Sequence, residues 1–168
     1  IDLEAGVWRI PAERAKNKQS HEVDLSPEAL ALLADIPKLG PHLFPARGKG
    51  PARGFSATKR RLDGLIEDLR AREAREADLE PPAEPLRPWR IHDLRRTAAT
   101  GMAALAFPPH VVERVLNHVS GTQSGLVGVY QRHEYREERK AALVAWGRRV
   151  AAVVAGEALP SNVHRLRA

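Results

Sequence analysis

The chain has 168 residues, enough for one domain with its own hydrophobic core, and it contains no cysteine, which excludes disulfides and thiolate metal sites. Lys and Arg total 27 against 21 Asp and Glu, so the formal net charge is +6. That excess of positive charge favours polyanionic partners such as nucleic acids. No apolar run reaches the ~18 residues that a membrane span needs, so the sequence predicts no transmembrane helix.

The first residues carry no secretory signal peptide, so we expect a cytoplasmic protein. The chain begins at Ile1, and its one methionine is Met102. We therefore expect the sequence to be a fragment of a longer protein.

The first predicted element is a β-hairpin. Residues 7–11 and 22–25 show the partial alternation of short strands, and a polar stretch joins them. Asn17 in that stretch can adopt a positive φ, which predicts a tight turn with Lys16 or Lys18 at its tip.

Two helices follow the hairpin. Ser26, Pro27 and Glu28 provide a side-chain cap, a proline at the first helical position and an acid in the first turn, which predict a helix start. Ser56 is expected to cap a second helix. The predicted buried side chains are Leu30, Leu32, Leu33 and Ile36 in the first helix and Leu62, Leu65, Ile66 and Leu69 in the second.

A basic run lies between these helices and extends into the second. It holds six basic residues and no acid, and its members are Arg47, Lys49, Arg53, Lys59, Arg60 and Arg61. The glycines among them match no nucleotide-binding fingerprint. The run is therefore predicted to contact the phosphate backbone of a nucleic acid.

A proline-rich linker precedes the central motif, His-x-Leu-Arg-Arg-Thr at residues 92–97. Prolines exclude a helix before it, and the apolar period after it predicts that a helix begins close to His92. His92 and Arg95 then share one face, while Leu94 and Ala98 are expected to face the core. An imidazole exchanges protons near neutral pH and a guanidinium binds two phosphate oxygens, so the pair suits a phosphodiester in its transition state.

The remainder of the chain is predicted to be helical with one loop. A turn at residues 106–109 leads to a short helix that ends at Leu-Asn-His, residues 116–118, and a loop then leads to Tyr130. A long amphipathic helix is predicted over residues 136–154, with Leu143, Trp146, Val150 and Val153 on its apolar side. The basic tail, residues 156–168, is expected to be flexible or to dock on a partner chain.

The central motif, followed by Leu-Asn-His at 116–118 and then by Tyr130, resembles the tyrosine recombinases and, in particular, phage-type integrases. The resemblance extends from the hairpin to the last helix. It implies a mainly α domain with a small antiparallel hairpin (α+β), namely a partial integrase catalytic domain over residues 1–155, with hairpin 7–25 and helical part 27–155. The implied activity is site-specific DNA recombination.

The resemblance also implies a role for each residue. A tyrosine phenol is a weak nucleophile until it loses its proton, and Tyr130 is the implied nucleophile that forms a 3′-phosphotyrosine. Arg95 would clamp non-bridging oxygens, and His118 would donate to a non-bridging oxygen. His92 would hydrogen-bond the same phosphate or exchange the tyrosine proton. Lys16 would protonate the leaving 5′ oxygen.

Several further expectations come from the same resemblance. Lys18 is the second choice for the general acid, and Arg96 is expected to contact DNA. No cofactor, metal or ATP is implied, because the phosphotyrosine retains the energy of the broken bond. The implied partners are double-stranded attachment sites and three further copies of the full-length protein, which would form a tetramer on DNA.

The sequence departs from the family pattern at two places. Position 117 carries Asn where most members have glycine, and a long loop before Tyr130 leaves Tyr135 as a rival nucleophile. The family also has another catalytic arginine ahead of the hairpin, which we expect upstream of Ile1 in the full protein. A fragment without it should be impaired.

Two other functions would also account for part of the sequence. Residues 94–116 could form a helix-turn-helix that binds DNA without cleaving it. Four histidines and one aspartate could also be considered as metal ligands. Helical zinc ligands are spaced i,i+4, however, and these residues lack that spacing. The residues concerned are His92, Asp93, His110, His118 and His133.

Overall fold

The predicted combination of helices with one antiparallel hairpin is found in the computed structural model of the chain, which describes residues 1–45, 50–80, 84–118 and 134–157. The described elements are β1 (Val7–Ile10), β2 (His21–Asp24), α1 (Pro27–Ala34), α2 (Phe55–Glu76), α3 (Ile91–Ala104), α4 (Pro109–Val115) and α5 (Arg136–Val154).

The chain divides into two compact units. Unit 1 consists of Ile1–Asp35 and Arg95–Ala168, and unit 2 consists of Ile36–Leu94. The boundary falls inside α3, so the first turn of that helix is counted with unit 2 and the remainder with unit 1.

The hairpin pairs β1 with β2 in antiparallel register, with Arg9 opposite Glu22. The Arg9 Nε atom lies 2.9 Å from Glu22 Oε1, an exposed cross-strand ion pair that supports this register. The predicted tight turn is wrong, because the connection is a longer loop in which the Ala15 amide donates to the Pro11 carbonyl. The positive φ of 57° belongs to Lys18, not to Asn17.

Helix α1 begins as the sequence predicts. Ser26 accepts a hydrogen bond from the Ala29 amide at 3.2 Å, and Pro27 occupies the first helical position. The expectation that Leu32 is buried is wrong, since this residue is 71% exposed. Helix α1 instead packs against α5.

The core of unit 1 lies where α3, α4 and α5 meet. Its buried residues are Met102, Val111, Val112 and Ala142, and Trp146 packs against them. A side chain at Gly101 would overlap the Trp146 ring, so the glycine lets this ring lie directly against the backbone of α3.

Helix α3 begins at Ile91, as the proline linker predicts. The Asp93 carboxylate accepts a hydrogen bond from the Arg90 amide at 2.8 Å and so satisfies one donor at the helix start. Ala98 packs against the core, but the expected burial of Leu94 is wrong because it is 58% exposed.

Helix α5 has the predicted bounds, but its apolar side is buried only in part. Leu143 and Trp146 are half-buried, whereas Val150 and Val153 are exposed. No described helix is both long and apolar enough to cross a membrane.

Unit 2 is built on α2. The helix starts at Phe55 after Gly54, whose φ is 74°, so the predicted cap at Ser56 is wrong. Its predicted apolar stripe is largely exposed, and Leu65 is 57% exposed. Polar contacts hold this unit, among them the hydrogen bond of 3.0 Å from the Trp89 ring to Asp63.

Candidate functional site

The centre of the candidate site is the segment of residues 115–117, which begins at the last residue of α4 and leads directly into His118. Within the helix end, the Leu116 amide donates to the Val112 carbonyl at 3.0 Å and the His118 amide donates to the Glu113 carbonyl at 3.0 Å. The Asn117 amide donates to the Arg114 carbonyl at 3.1 Å. These bonds form the C-terminal cap in which one residue adopts a left-handed conformation.

Asn117 is the residue with the left-handed conformation, and its φ is 52°. Glycine is the usual residue at this position of the cap, and asparagine is among the few others that tolerate it. The departure from the family's glycine is therefore compatible with the same backbone geometry.

Two carbonyls of the α4 end are bound by side chains from other elements. The Val115 carbonyl accepts from the His21 ring at the start of β2. The Leu116 carbonyl accepts from Arg95 Nη2 on α3. Hairpin and α3 are thus both fixed to the segment that carries His118.

A third side-chain bond joins the hairpin loop to the same segment. Asn17 Nδ2 donates to Asn117 Oδ1 at 2.8 Å, and Asn17 Oδ1 accepts from the Gln19 amide at 3.2 Å. Lys16 and Lys18 on either side are exposed, whereas Asn17 is half-buried. Asn17 is therefore an anchor of the loop that carries both candidate lysines.

Two of the catalytic candidates come together at the α4 end. Arg95 is half-buried and binds the carbonyl of residue 116, two positions before the exposed His118. His92 is exposed in the first turn of α3, three residues before Arg95 on the same helix. Tyr130 lies outside the described residues.

His21 is a site residue that the sequence analysis missed. Burial lowers the pKa of its imidazole, and the nearby charges of Arg139 and Arg95 lower that pKa further, while the bond to the Val115 backbone opposes them. Its sequence signal was weak, because a single histidine at a strand start is common. Its burial, at 9% exposure, depends on distant parts of the chain.

A cavity of about 650 Å³ lies beside this segment. His21, Asn117, His118, Glu134 and Arg139 are among its lining residues. Arg139 is only 8% exposed, and its Nε atom has no hydrogen-bond partner among the residues that the structure describes. Among the described lining residues, Arg9, Arg114 and Arg139 carry positive charge and Glu22 and Glu134 carry negative charge, so the lining is weakly positive and favours anions.

Tyr135 occupies a structural position. It precedes α5 with a φ of 49°, and its ring packs against the core of unit 1. The ring centroid lies 4.7 Å from that of His110. These contacts give the Tyr135 ring a packing role in the core of unit 1.

The predicted DNA-contacting residues differ in their surroundings. Arg53, Arg60, Arg61 and Arg96 are exposed, whereas Arg47 and Lys49 lie outside the described residues. Lys59 is half-buried, with its Nζ atom 2.6 Å from Asp63 and 4.5 Å from the Trp89 ring centroid. Because Lys59 is already paired, it is a weaker candidate for a phosphate contact than its exposed neighbours.

The metal alternative gains no support from the geometry. Across the described ranges, no three His, Asp or Glu side chains gather closely enough to hold a metal ion. His133, one of the residues considered for such a site, lies outside those ranges.

Comparisons with known proteins agree with the motifs. The model of the phage integrase family matches residues 1–137. The chain is also similar to prophage integrase IntA of Escherichia coli strain K12, with 28% identity over 176 residues that cover 99% of this chain and 37% of that protein. The chain therefore spans little more than a third of this relative's length. No solved structure matches this chain.

Proposed function

Because the chain belongs to the phage integrase family of tyrosine recombinases, we propose that it is the main part of a catalytic domain for site-specific DNA recombination. The proposed reaction cleaves and rejoins DNA strands through a 3′-phosphotyrosine. The observation that carries the proposal is the α4 end, where Arg95 and the loop bearing Lys16 are both bonded to the segment that leads into His118.

In the proposed step, the Tyr130 oxygen forms a bond to phosphorus and the bond from phosphorus to the 5′ oxygen breaks. His92 takes the phenol proton, and Lys16 gives a proton to the leaving 5′ oxygen. Arg95 and His118 donate to the non-bridging oxygens, where negative charge develops. A 5′ hydroxyl of another strand then reverses the step and rejoins DNA without a metal or ATP.

The fixed position of Arg95 suits this role. A guanidinium carries five N–H donors, and one of its terminal nitrogens is bonded to the Leu116 carbonyl. A donor that is held in place before the reaction stabilises the transition state without first having to reorganise.

The proposed substrate is double-stranded attachment-site DNA, and the full-length protein is proposed to act as a tetramer on it. Arg53, Arg60 and Arg61 supply an exposed basic surface on unit 2. Binding should therefore weaken steeply as salt rises, since each neutralised phosphate releases counterions. Affinity measured by fluorescence anisotropy between low and high salt tests this, and a flat dependence would contradict it.

The helix-turn-helix alternative receives less support. Helix α4 has seven residues, and its Val111 and Val112 are buried in the core. A recognition helix needs an exposed face that reaches base edges in the major groove. The end of α4 is instead occupied by bonds from Arg95, His21 and Asn17.

The experiment that tests the proposed function is covalent capture on a nicked attachment-site duplex. The 168-residue chain is compared with a version extended upstream to include the family's first arginine. If that arginine also clamps the phosphate, the shorter chain should be slower by about 10²- to 10³-fold, by analogy with the loss of one oxyanion donor. The extended protein should form an adduct that Arg95→Ala abolishes while DNA binding persists.

A further inference from the structure

The loop that carries Lys16 is tied to the segment before His118 by one pair of amide side chains. The bond from Asn17 to Asn117 is 2.8 Å long, joins residues 100 positions apart and is partly buried. Both polar ends of the Asn17 amide are used, because its oxygen accepts from the Gln19 amide. Asn17 therefore closes the loop locally and connects it to the α4 end at the same time.

The bonded residues lie next to two of the proposed catalytic residues, one of which is the proposed donor of the proton to the leaving oxygen. Lys16 directly precedes Asn17, and His118 directly follows Asn117. A shift of the loop would move an exposed, flexible lysine away from the leaving oxygen, and misplacement by about 1 Å can cost a large factor in rate. Lysine cannot fix itself there, because its flexible stem has many rotamers.

We propose that Asn17 and Asn117 are positioning residues that hold the Lys16 loop against the His118 segment, so that the leaving oxygen is protonated by a lysine at a fixed distance from the clamped phosphate. The inference rests on the proposed function and extends it to two residues that have no role in the proposed chemical step. It also explains how asparagine at 117 can add a contact that glycine, with no side chain, cannot make.

The test compares two DNA substrates on the upstream-extended protein. One is the ordinary attachment-site duplex, and in the other a sulfur atom replaces the bridging 5′ oxygen. A thiol with a reference pKa of about 8.5 leaves as a thiolate far more readily than an alcohol does, so the sulfur substrate needs no general acid. The ratio of the two cleavage rates isolates leaving-group protonation from every other role.

Asn117→Gly is the main variant, because glycine accepts the positive φ of this position while removing the acceptor oxygen. It should slow cleavage of the ordinary DNA by about 3- to 10-fold, the range expected for the loss of one hydrogen bond, and should leave the sulfur substrate unchanged. Lys16→Ala should show the same pattern with a larger factor. Asn17→Ala supplies an independent removal of the bond from the other side.

Asn117→Asp is the matched control. It retains an acceptor oxygen for Asn17 and a residue type that tolerates the same φ. Its added charge should slow both substrates by the same factor, so the ratio of rates should stay at the value of the unsubstituted protein.

The outcomes separate the two proposals. If Asn117→Gly and Asn17→Ala slow both substrates equally, or slow neither, the positioning role is overturned while the recombinase assignment stands. If Asn117→Gly does not fold, as judged by circular dichroism, the ratio for Asn17→Ala decides. If the unsubstituted extended protein forms no adduct with either DNA, the proposed function itself fails.

Discussion

The predicted apolar sides of the helices are buried to very different extents in the two units. In unit 1, α3 and α5 bury side chains around Met102, which is 1% exposed. In unit 2, α2 carries the predicted leucine stripe, yet Leu65 is 57% exposed. The period of a sequence thus predicts a helix, whereas burial depends on whether another element lies against the apolar side.

The two units also differ in what their polar side chains do. In unit 1, the side chains of Arg95, His21 and Asn17 all bond to the segment at the end of α4. In unit 2, Asp63 accepts from both Lys59 and the Trp89 ring, which fixes the linker to α2. Polar contacts therefore organise a candidate site in one unit and hold a structural linker in the other.

The largest expected effect is on the core of unit 1. Trp146→Ala should lower the free energy of unfolding by about 3 kcal/mol, since the half-buried ring fills the space beside Gly101. Thermal and urea unfolding of the 168-residue chain measure the loss. Val153→Ala on the same helix, at a site 56% exposed, is the control and should have little effect. Equal losses of unfolding free energy for the two variants would contradict the difference in burial between Trp146 and Val153 on α5.

The second prediction concerns pH and the His21 contact. Because its folded pKa is lowered by burial and by the charges of Arg139 and Arg95, the unfolded state takes up a proton first. The contribution of His21 is present above the ordinary pKa of 6.5 and is lost as pH falls through the folded pKa. Urea unfolding at a series of pH values should show this loss.

The control for the pH prediction is His21→Gln, which keeps a hydrogen-bond donor but does not titrate. The part of the pH dependence below 6.5 that comes from His21 should be absent in this variant. An identical pH profile for both proteins would mean that the ring is not buried against the Val115 backbone.

The smallest expected effect is in unit 2. Leu65→Gln should change the free energy of unfolding by no more than about 0.5 kcal/mol, because substitutions at exposed positions have small effects. The same urea titration measures it. A loss as large as that of Trp146→Ala would show that the leucine stripe of α2 is covered, and the contrast between the units would then be wrong.

Local signals predicted the element bounds well. Ser26 and Pro27 mark the start of α1, and α5 occupies residues 136–154 as its period indicates. These features depend on neighbours within a few residues, which a sequence displays directly. The start of α2 was predicted incorrectly, because the N-cap residue is Gly54, which has a positive φ, and not Ser56.

The site could be predicted only in part. The motif pointed to Arg95 and His118, but it gave no sign that Arg95 would bond to the Leu116 carbonyl. The bond between Asn17 and Asn117 joins residues that are far apart in the chain, and no local period encodes it. Such contacts depend on how the hairpin and α4 are packed, and packing is the part of the fold that one sequence reveals least.

The most direct test of the recombinase assignment is peptide mapping of the covalent adduct formed by the upstream-extended protein on nicked attachment-site DNA. Mass spectrometry should place the nucleotide on Tyr130, and the adduct should vanish with Tyr130→Phe but persist with Tyr135→Phe. Attachment through Tyr135 would contradict the structural role given to that residue. Attachment through neither tyrosine would contradict the assignment of this chain to tyrosine-mediated DNA cleavage.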